Sequence, residues 1–307
     1  EYFAAMNHWF STRYGYTIEP EWVTLGAGIV YALGTSVRAF TEEGDAMMVM
    51  QPVYYPFSEV IKNDGRRLVN CQLRYENNHY SIDFEKMEKM IREEGVKALI
   101  FCNPHNPVGR VWTREELERV AQVCLKYNVI WMVDEMHCDF IFPGHTFTSC
   151  MNLDEKYRQI LALYSSPGKT FNVAGFQPAN IIIPNEELRK KYQWANTQAA
   201  YSQGSLMGQL AVKVCYTKGA EWVDELVQYI YENVKYMSKF VKENFPKAKM
   251  VEPEGTYLVW LISLVMVLVM KNWNICCLKR QNCGWIRELS SDRRPLSLRD
   301  SMLPARV

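Results

Sequence analysis

Short runs of apolar residues recur along the first part of the chain, with polar, helix-like segments between them. The runs cover residues 46–50, 98–102, 129–133, 160–164 and 180–183. Each run is continuously apolar, whereas a strand with one face in water alternates apolar and polar residues. The pattern therefore predicts strands covered on both faces, in a mostly parallel α/β sheet sandwiched by helices.

Helical spacing is clearest between the second and third of these runs. Thr113 and Glu116 have the spacing of a capping box, apolar residues of 117–125 share one face, and Asn128 follows where the helix should end. A second helical region is predicted over about 203–245. The same spacing predicts a helix at the start of the chain, with its apolar face formed by Tyr2, Phe3, Met6, Trp9 and Phe10.

Composition narrows the class of protein without identifying it. The chain has 307 residues, 48% of them hydrophobic, which is enough for one large domain and a smaller one. Its net charge of +1 gives no reason to expect a nucleic-acid partner. None of the nine cysteines forms a CxxC pair, so a metal site is not expected. Cysteines within apolar segments are typical of reduced thiols in a cytoplasmic protein.

Both ends of the sequence are unusual. The chain opens at Glu1 inside a predicted helix and without an initiator Met, so we interpret the start as a cut. The stretch 257–270 carries no charge, but its 14 residues are fewer than the roughly 20 that a membrane helix needs. We therefore expect no membrane partner and treat this stretch as an aggregation risk.

Polar and glycine-rich segments follow the predicted strands. Four of them are residues 52–55, 103–110, 134–139 and 165–172. A fifth, residues 25–30, joins a further short strand near the start of the chain to a likely helix N-terminus. In an open α/β sheet, ligands bind beyond the carboxyl ends of the strands. The five segments are therefore expected to converge at one edge of the sheet and to form the functional site.

Three of these segments carry a specific resemblance. The strings CNPHNPVGR, DEMHCDF and SSPGKTFNVAGFQ resemble the MalY/PatB-type cystathionine β-lyases, which are carbon–sulfur lyases within the class I/II aminotransferase superfamily. The resemblance covers about residues 1–260. It implies the fold of the fold-type-I transferases that depend on pyridoxal 5′-phosphate (PLP), with an α+β small domain that is incomplete in this chain.

The resemblance also implies a domain organisation. Residues 1–215 would form the PLP-binding large domain without its N-terminal segment. Residues 216–261 would begin the small domain, and residues 262–307 would be a tail without native fold. The intact parent is expected to be a homodimer that acts on a small amino-acid substrate.

Each site residue is assigned by its match to the family pattern. Lys169 would bind the cofactor covalently as a Schiff base and later act as the general base at the substrate Cα. Asp134 would pair with the protonated ring nitrogen and keep the ring an electron sink. Asn106 would donate to the ring 3-oxygen, His137 would reach the same side of the ring, and Tyr54 would stack on its face.

The phosphate group is assigned to the glycine-rich turn. Backbone N–H groups of Gly28, Ile29 and Val30 at a helix N-terminus would bind it, and Ser166 would add a hydroxyl. Gln177 stands where many aminotransferases have a phosphate-binding Arg, and the same Gln occurs in the lyase pattern.

Each residue taken alone has a plainer interpretation. A single Lys after a strand is usually a solvated surface residue, and an Asp there is more often a turn former or a helix cap. Tyr54 between two prolines could simply pack in the core. The functional interpretation rests on the order and spacing of all five segments. We expect His105 only to shape its turn, and we expect Glu135 and Asp139 to be structural or solvated and not catalytic.

The resemblance favours a PLP-dependent lyase that eliminates a thiol from a thioether amino acid and yields pyruvate and ammonia. An aminotransferase on the same scaffold is the nearest alternative, because the cofactor supports both reactions and the protein selects one by orientation. A third possibility is a protein that keeps the fold but acts by binding a regulator. Such a protein would keep its biological effect in a Lys169→Ala variant.

The family pattern stops near Leu261, and we predict a reading-frame error there. Back-translated and read one base earlier, residues 262–307 can spell a sequence that resembles the family's C-terminal domain and includes RFNVACPR. The family's substrate-carboxylate Arg lies in that segment, so this chain lacks it and its activity should be impaired. That role should not be given to the arginines of the tail, which are Arg287, Arg293, Arg294, Arg299 and Arg306.

Overall fold

The computed structural model describes residues 1–201 and 204–263. Its helices are α1 (Tyr2–Tyr14), α2 (Ile29–Phe40), α3 (Pro56–Asn63), α4 (Phe84–Glu94), α5 (Arg114–Lys126), α6 (Glu186–Gln198), α7 (Leu206–Lys218) and α8 (Ala220–Asn244). Its strands are β1 (Val23–Ala27), β2 (Ala46–Val49), β3 (Arg67–Asn70), β4 (Arg74–Glu76), β5 (His79–Ser81), β6 (Val96–Cys102), β7 (Ile130–Asp134), β8 (Leu161–Ser165), β9 (Pro178–Ile182), β10 (Ala248–Val251) and β11 (Trp260–Ser263).

Seven strands form the central sheet in the order β1-β9-β8-β7-β6-β2-β3. The five neighbouring strands β8, β7, β6, β2 and β3 are paired in parallel, whereas β9 runs antiparallel to both β8 and β1. Strands β1, β2, β6, β7 and β8 therefore end at the same edge of the sheet. The predicted mostly parallel α/β sheet is confirmed, and each of the five predicted strands is present.

Helices cover both faces of the sheet, which explains the continuously apolar runs. In β6, Leu99 and Phe101 belong to the core beneath α1, α4, α5 and α7. The alternate residues Ala98 and Ile100 belong to the second core, beneath α2, α3 and α6. Because water is excluded from both faces of each strand, neither face can carry a polar side chain that lacks a hydrogen-bond partner.

The predicted helix ends are also confirmed by their local hydrogen bonds. The Thr113 hydroxyl accepts from Glu116 N–H, and the Glu116 carboxylate accepts from Thr113 N–H, so α5 begins in a capping box. Asn128, two residues beyond the last helical residue, has a φ of 53°. Asn tolerates this left-handed conformation better than most residues, so the chain turns here into β7.

A single glycine interrupts the second helical region, between α7 and α8. The predicted domain boundary at residue 215 falls inside α7, which packs on the sheet and continues to Lys218. Gly219 separates it from α8, which leads to the β10–β11 hairpin. Ile262 and Ser263, the first two residues of the predicted tail, pair within this hairpin. The rest of the tail lies outside the described residues.

Within the described ranges, no helix is both long enough and apolar enough to cross a membrane. The predicted aggregation-prone stretch 257–270 lies only partly inside those ranges, because the description ends at Ser263.

Gly219 fits its position because a side chain there would collide with the core. A Cβ on Gly219 would lie 2.2 Å from Phe171 Cε1 and 2.6 Å from the Cys215 carbonyl oxygen. We expect Gly219→Ala to lower the free energy of unfolding by about 1–3 kcal/mol through overpacking. Urea unfolding followed by tryptophan fluorescence would measure this loss.

A matched substitution at Gly175 controls for the added methyl group. A Cβ on Gly175 would meet no atom within 4 Å, and the residue is exposed. Gly175→Ala should therefore change stability by no more than about 0.5 kcal/mol. Equal losses in the two variants would contradict the assigned packing of Phe171 on Gly219.

Candidate active site

The candidate site lies at the edge of the sheet where the parallel strands end. Hydrogen bonds extend the strand pairing into the loops beyond it. Asn103 N–H donates to the Asp134 carbonyl at 2.9 Å, and Glu135 N–H donates to the Tyr164 carbonyl at 2.9 Å. The loops after β6, β7 and β8 are thus fixed relative to one another, and they bring the predicted residues of three chain segments together.

Asp134 ends β7 with a buried carboxylate. Its Oδ1 accepts a hydrogen bond from Met136 N–H at 3.0 Å. Burial raises the pKa of Asp134 to about 7, against the opposing effects of this hydrogen bond and of the positive charge of Lys169. A cation placed beside a buried carboxyl group with a raised pKa stabilises its ionised form and so restores its negative charge.

Lys169 is half-buried in the loop that follows β8. Its charge lowers the pKa of both Asp134 and His137, so its ammonium group lies within electrostatic range of both. The sequence had separated these residues by more than thirty positions along the chain. Adjacent strands β7 and β8 bring them to one site, as the order of segments predicted.

The side chains of His137 and Asn106 contact each other within the site. The amide Nδ2 of Asn106 lies 3.4 Å from His137 Nε2, and both side chains are buried. Burial, followed by the charge of Lys169, lowers the pKa of His137 to about 3, so its ring is neutral at pH 7. His137 Nδ1 is buried and has no hydrogen-bond partner within the described part of the chain.

Tyr54 lines the site from the loop after β2. Its backbone N–H donates to the Asn106 carbonyl at 3.0 Å, which ties this loop to the loop after β6. Burial raises the pKa of Tyr54, with smaller contributions from Tyr55, Asp134 and Tyr257. The phenol is therefore neutral at physiological pH and lies within electrostatic range of the Asp134 carboxylate.

Helix α2 begins at the same edge, directly after Gly28. Gly28 has a φ of 85°, which strongly favours glycine, and α2 has neither a side-chain cap nor an acidic residue in its first turn. Its first N–H groups are therefore suited to bind an anion. Ile29 is buried and Val30 is exposed, so only their backbone atoms can serve this purpose. A cavity of about 260 Å³ opens beside this turn, lined by Ala27, Gly175, Phe176, Gln177, Tyr201 and Ser205.

Ser166 is buried in the same region, but its hydroxyl is already engaged. It donates to the Pro178 carbonyl at 2.5 Å and accepts from Gly168 N–H at 3.0 Å. To donate to a bound anion, the hydroxyl would have to leave the Pro178 carbonyl. Its present hydrogen bonds shape the loop that carries Lys169.

The residue after Lys169 is anchored by a buried carboxylate. Thr170 Oγ1 donates to Asp139 Oδ2 at 2.6 Å, and the Tyr14 hydroxyl donates to Asp139 Oδ1. Phe171 then packs between Trp9 and Trp222. These contacts fix the backbone on one side of Lys169, and they give Asp139 the structural role expected from the sequence.

The other two residues expected to be structural are also buried and hydrogen-bonded. Glu135 accepts from Ser149 Oγ at 2.7 Å and from Cys150 N–H at 2.8 Å. His105 Nε2 lies 2.9 Å from the Pro52 carbonyl oxygen, and burial lowers the pKa of its ring to about 4. Both residues therefore brace the loops that carry the site.

One contact with the site comes from the segment beyond β10 and was not predicted from the sequence. Tyr257 packs its ring on His137, with 5.1 Å between ring centroids. The string that contains Tyr257 matched the family pattern, but nothing in its spacing indicated that it reaches the site. Arg110 connects the segment that contains Tyr257 to α5, because its guanidinium binds Glu254 at 2.9 Å and Glu116 at 2.9 Å.

Fold and site can now be compared with known proteins. The family model described as aminotransferase class I and II matches residues 1–271. This match covers most of the chain, which therefore belongs to the aminotransferase class I and II family. The predicted membership of this superfamily is confirmed.

Two curated relatives support the closer resemblance. The chain is 37% identical over 257 residues to cystathionine beta-lyase PatB of Bacillus subtilis (strain 168), covering 84% of this chain and 66% of the relative. It is 30% identical over 262 residues to protein MalY of Escherichia coli (strain K12), covering 85% and 66%. The chain thus spans just under two thirds of these relatives. The resemblance to the MalY/PatB type is confirmed.

Solved structures agree with the sequence matches. Cystalysin from Treponema denticola, whose crystal structure contains a pyridoxal 5′-phosphate cofactor, has a TM-score of 0.86 at 34% identity, over 90% of this chain and 70% of that one. The PLP-bound C-S lyase from Staphylococcus hominis has a TM-score of 0.80 at 31% identity, over 88% and 67%. The sheet and its covering helices are therefore those of the family.

The raised pKa of Asp134 predicts a pH-dependent stability. A carboxyl group whose folded pKa exceeds its unfolded value favours folding below the unfolded pKa, and this contribution is lost as the pH rises through the folded pKa. Burial moves the pKa of Asp134 from 3.8 to about 7. Relative to Asp134→Asn, the cofactor-free chain should therefore lose on the order of 1–4 kcal/mol of stability between about pH 4 and about pH 7.

Urea unfolding of both proteins at several pH values would measure this difference. Asp154→Asn is the control, because the pKa of this exposed carboxyl is lowered by the Lys156 backbone N–H and its effect belongs below pH 3.8. A stability difference between the chain and Asp134→Asn that does not change across the window would contradict the desolvation of Asp134.

Proposed function

We propose that this chain derives from a PLP-dependent carbon–sulfur β-lyase that acts on a thioether amino acid such as cystathionine. The observation that carries the proposal is the position of Lys169 in the loop after β8, where its charge acts on Asp134 at the end of the adjacent strand β7 and on His137 just beyond it. A pyridine aldehyde cofactor requires two features of its site. One is a buried carboxylate that needs a cation, and the other is an amine within range of that carboxylate.

The residues around them fit the same cofactor. Asp134 would face the protonated ring nitrogen, whose charge would restore the buried carboxylate. Asn106 Nδ2 and His137 Nε2, 3.4 Å apart, are spaced to share one acceptor, which would be the ring 3-oxygen. Tyr54 would cover the ring face. The phosphate would bind the N–H groups of Gly28, Ile29 and Val30, with Ser166 beside it.

When bound, PLP supplies an electron sink that stabilises negative charge at the substrate Cα. Lys169 has two tasks in the proposed mechanism. Its Nζ would hold the cofactor covalently, and the same amine, once free, would take the proton from the substrate Cα. The neutral His137 ring and the Asn106 amide keep the ring in place while that proton moves. The bond between the substrate Cβ and sulfur then breaks, and the thiolate leaves with the bonding electrons.

The lyase is preferred to the aminotransferase because of the relatives. PatB and the Staphylococcus hominis protein are named as lyases, and they are more than 30% identical to this chain. One observation supports the second candidate, an aminotransferase. A yeast relative named as a probable kynurenine–oxoglutarate transaminase is 26% identical over 266 residues. Both reactions would use Lys169 and Asp134 in the same way.

A homodimer is the proposed assembly of the intact protein. Helix α7 exposes an apolar stripe beside the cavity at the start of α2, and contiguous apolar surface of this kind marks an interaction site. The stripe consists of Leu206, Met207, Leu210 and Val214.

The cytoplasmic location and the reading-frame error over residues 262–307 stay predictions, and sequencing of the gene would test the latter.

Cofactor attachment gives the sharpest test of the proposal. We expect the 307-residue chain, mixed with PLP and reduced with borohydride, to carry a phosphopyridoxyl group on the peptide that contains Lys169. Lys169→Ala should reduce labelling to background, while Lys190→Ala, at an exposed lysine paired with Glu186, should not. Peptide mass spectrometry would measure the label, and labelling elsewhere with Lys169 unmodified would refute the assignment.

Product analysis separates the two reactions. The assay uses cystathionine without any added keto acid, on this chain and on a version whose residues 262–307 carry the restored-frame sequence. We expect the restored version to release thiol and pyruvate in equal amounts, and Lys169→Ala to slow release by about 10²-fold or more. Turnover that appears only when a keto acid is added would favour the aminotransferase.

A further inference from the structure

The segment 253–257, here called the clamp segment, is bound tightly to the loops of the large domain. The Gly109 carbonyl accepts from Glu254 N–H at 2.8 Å, and Phe142 N–H donates to the Glu254 carbonyl at 3.0 Å. The Glu254 carboxylate accepts from Arg110 Nε at 2.9 Å and from Val111 N–H at 2.7 Å. Backbone and side chain therefore hold this segment from two directions.

Close packing fixes its position further. A Cβ on Gly109 would lie 2.6 Å from Pro253 Cβ, and one on Gly255 would lie 2.5 Å from the Phe140 carbonyl oxygen. Neither glycine could be replaced without moving the clamp segment away from the loops. The contact is thus as tight as the interior of a single domain, although its two sides are far apart along the chain.

Thr256 adopts a strained backbone conformation at the centre of the clamp segment. It is fully buried, and its φ of 67° is rare for a β-branched residue. Its N–H donates to the Phe140 carbonyl at 2.8 Å, and its hydroxyl accepts from Leu258 N–H at 3.1 Å. Strain of this kind persists only where the surroundings enforce it, and it is concentrated at functional sites.

The strained conformation aims the next side chain at the site. The Tyr257 ring lies 5.1 Å from the His137 ring and 5.1 Å from the Phe140 ring, perpendicular to the latter. Tyr257 also contributes to the raised pKa of Tyr54, so it lies within electrostatic range of a second site residue. The outer part of its side chain stays in contact with solvent, and 37% of the residue is exposed.

We propose that Tyr257 is a positioning residue of the site, which holds the His137 ring against Asn106 and excludes water from it. His137 has no hydrogen bond at Nδ1 from the described residues, so beyond the 3.4 Å contact of its Nε2 with Asn106 the ring is held by packing. Phe140 is on the same loop as His137 and moves with it. Tyr257 is the packing partner that comes from a distant part of the chain.

The functional meaning of this role rests on the proposed PLP site, but its physical basis does not. The water-free environment of His137 can be measured in the cofactor-free chain. If Lys169 carries no label, the proposed function fails while the Tyr257 assignment still stands. If the Tyr257 variants leave His137 unchanged, only the positioning role fails.

The test follows the protonation of His137 by NMR. The signal is assigned among the five histidines with a His137→Asn variant. In the unmodified chain, burial and the charge of Lys169 hold the pKa of His137 at about 3, so no titration should occur above pH 5. Tyr257→Ala should let water reach the ring and raise the midpoint by about one pH unit or more towards 6.5, since Lys169 stays in place.

Two further variants separate positioning from folding. Tyr257→Phe keeps the ring and should restore the titration of the unmodified chain. Tyr257→Leu, which keeps an apolar group, should give an intermediate midpoint and replaces the Ala variant if that variant does not fold. Tyr229→Ala removes a tyrosine that is 66% exposed on α8 and should change nothing. A His137 midpoint that does not rise above that of the unmodified chain in folded Tyr257→Ala or Tyr257→Leu would overturn the proposal.

Discussion

The site depends on the electrostatic relation between Asp134 and Lys169. Burial withdraws water from the carboxylate and raises its pKa to about 7, while the Met136 N–H and the charge of Lys169 partly offset that cost. Asp134 ends β7, and Lys169 lies in the loop that follows the adjacent parallel strand β8, so the sheet brings the two chain segments together. A cofactor with a cationic ring would satisfy the carboxylate that the amine alone leaves poorly compensated.

Several layers of structure keep this arrangement rigid. Asp139 binds Thr170 and Tyr14, and aromatic rings enclose Phe171, so the backbone just beyond Lys169 has little freedom. On the opposite side of the site, Glu135 accepts hydrogen bonds from the loop that contains Ser149. Buried carboxylates thus act here in two different ways. Fully hydrogen-bonded ones shape the loops, and the sparsely bonded Asp134 is left for a ligand.

Most of the fold and half of the site could be predicted from the sequence. The apolar runs located the five strands, since strands covered on both faces leave a signal that local pattern can detect. The convergence of Asp134 and Lys169 followed from the rule for parallel strands. The rest depends on tertiary contacts. No local pattern shows that the Ser166 hydroxyl is engaged by Pro178, that Thr256 has a positive φ, or that Tyr257 reaches His137.

The hydrogen bonds around Glu254 have a mechanical consequence. Gly109, Phe142 and Arg110 bind residues 253–257 so firmly that this stretch behaves as part of the large domain, although it follows α8 and β10 along the chain. Any swing of α8 and β10 relative to the sheet must therefore bend the backbone on either side of this stretch. The two joints would lie between β10 and Pro253 and between Tyr257 and β11, with the His137 contact stationary between them.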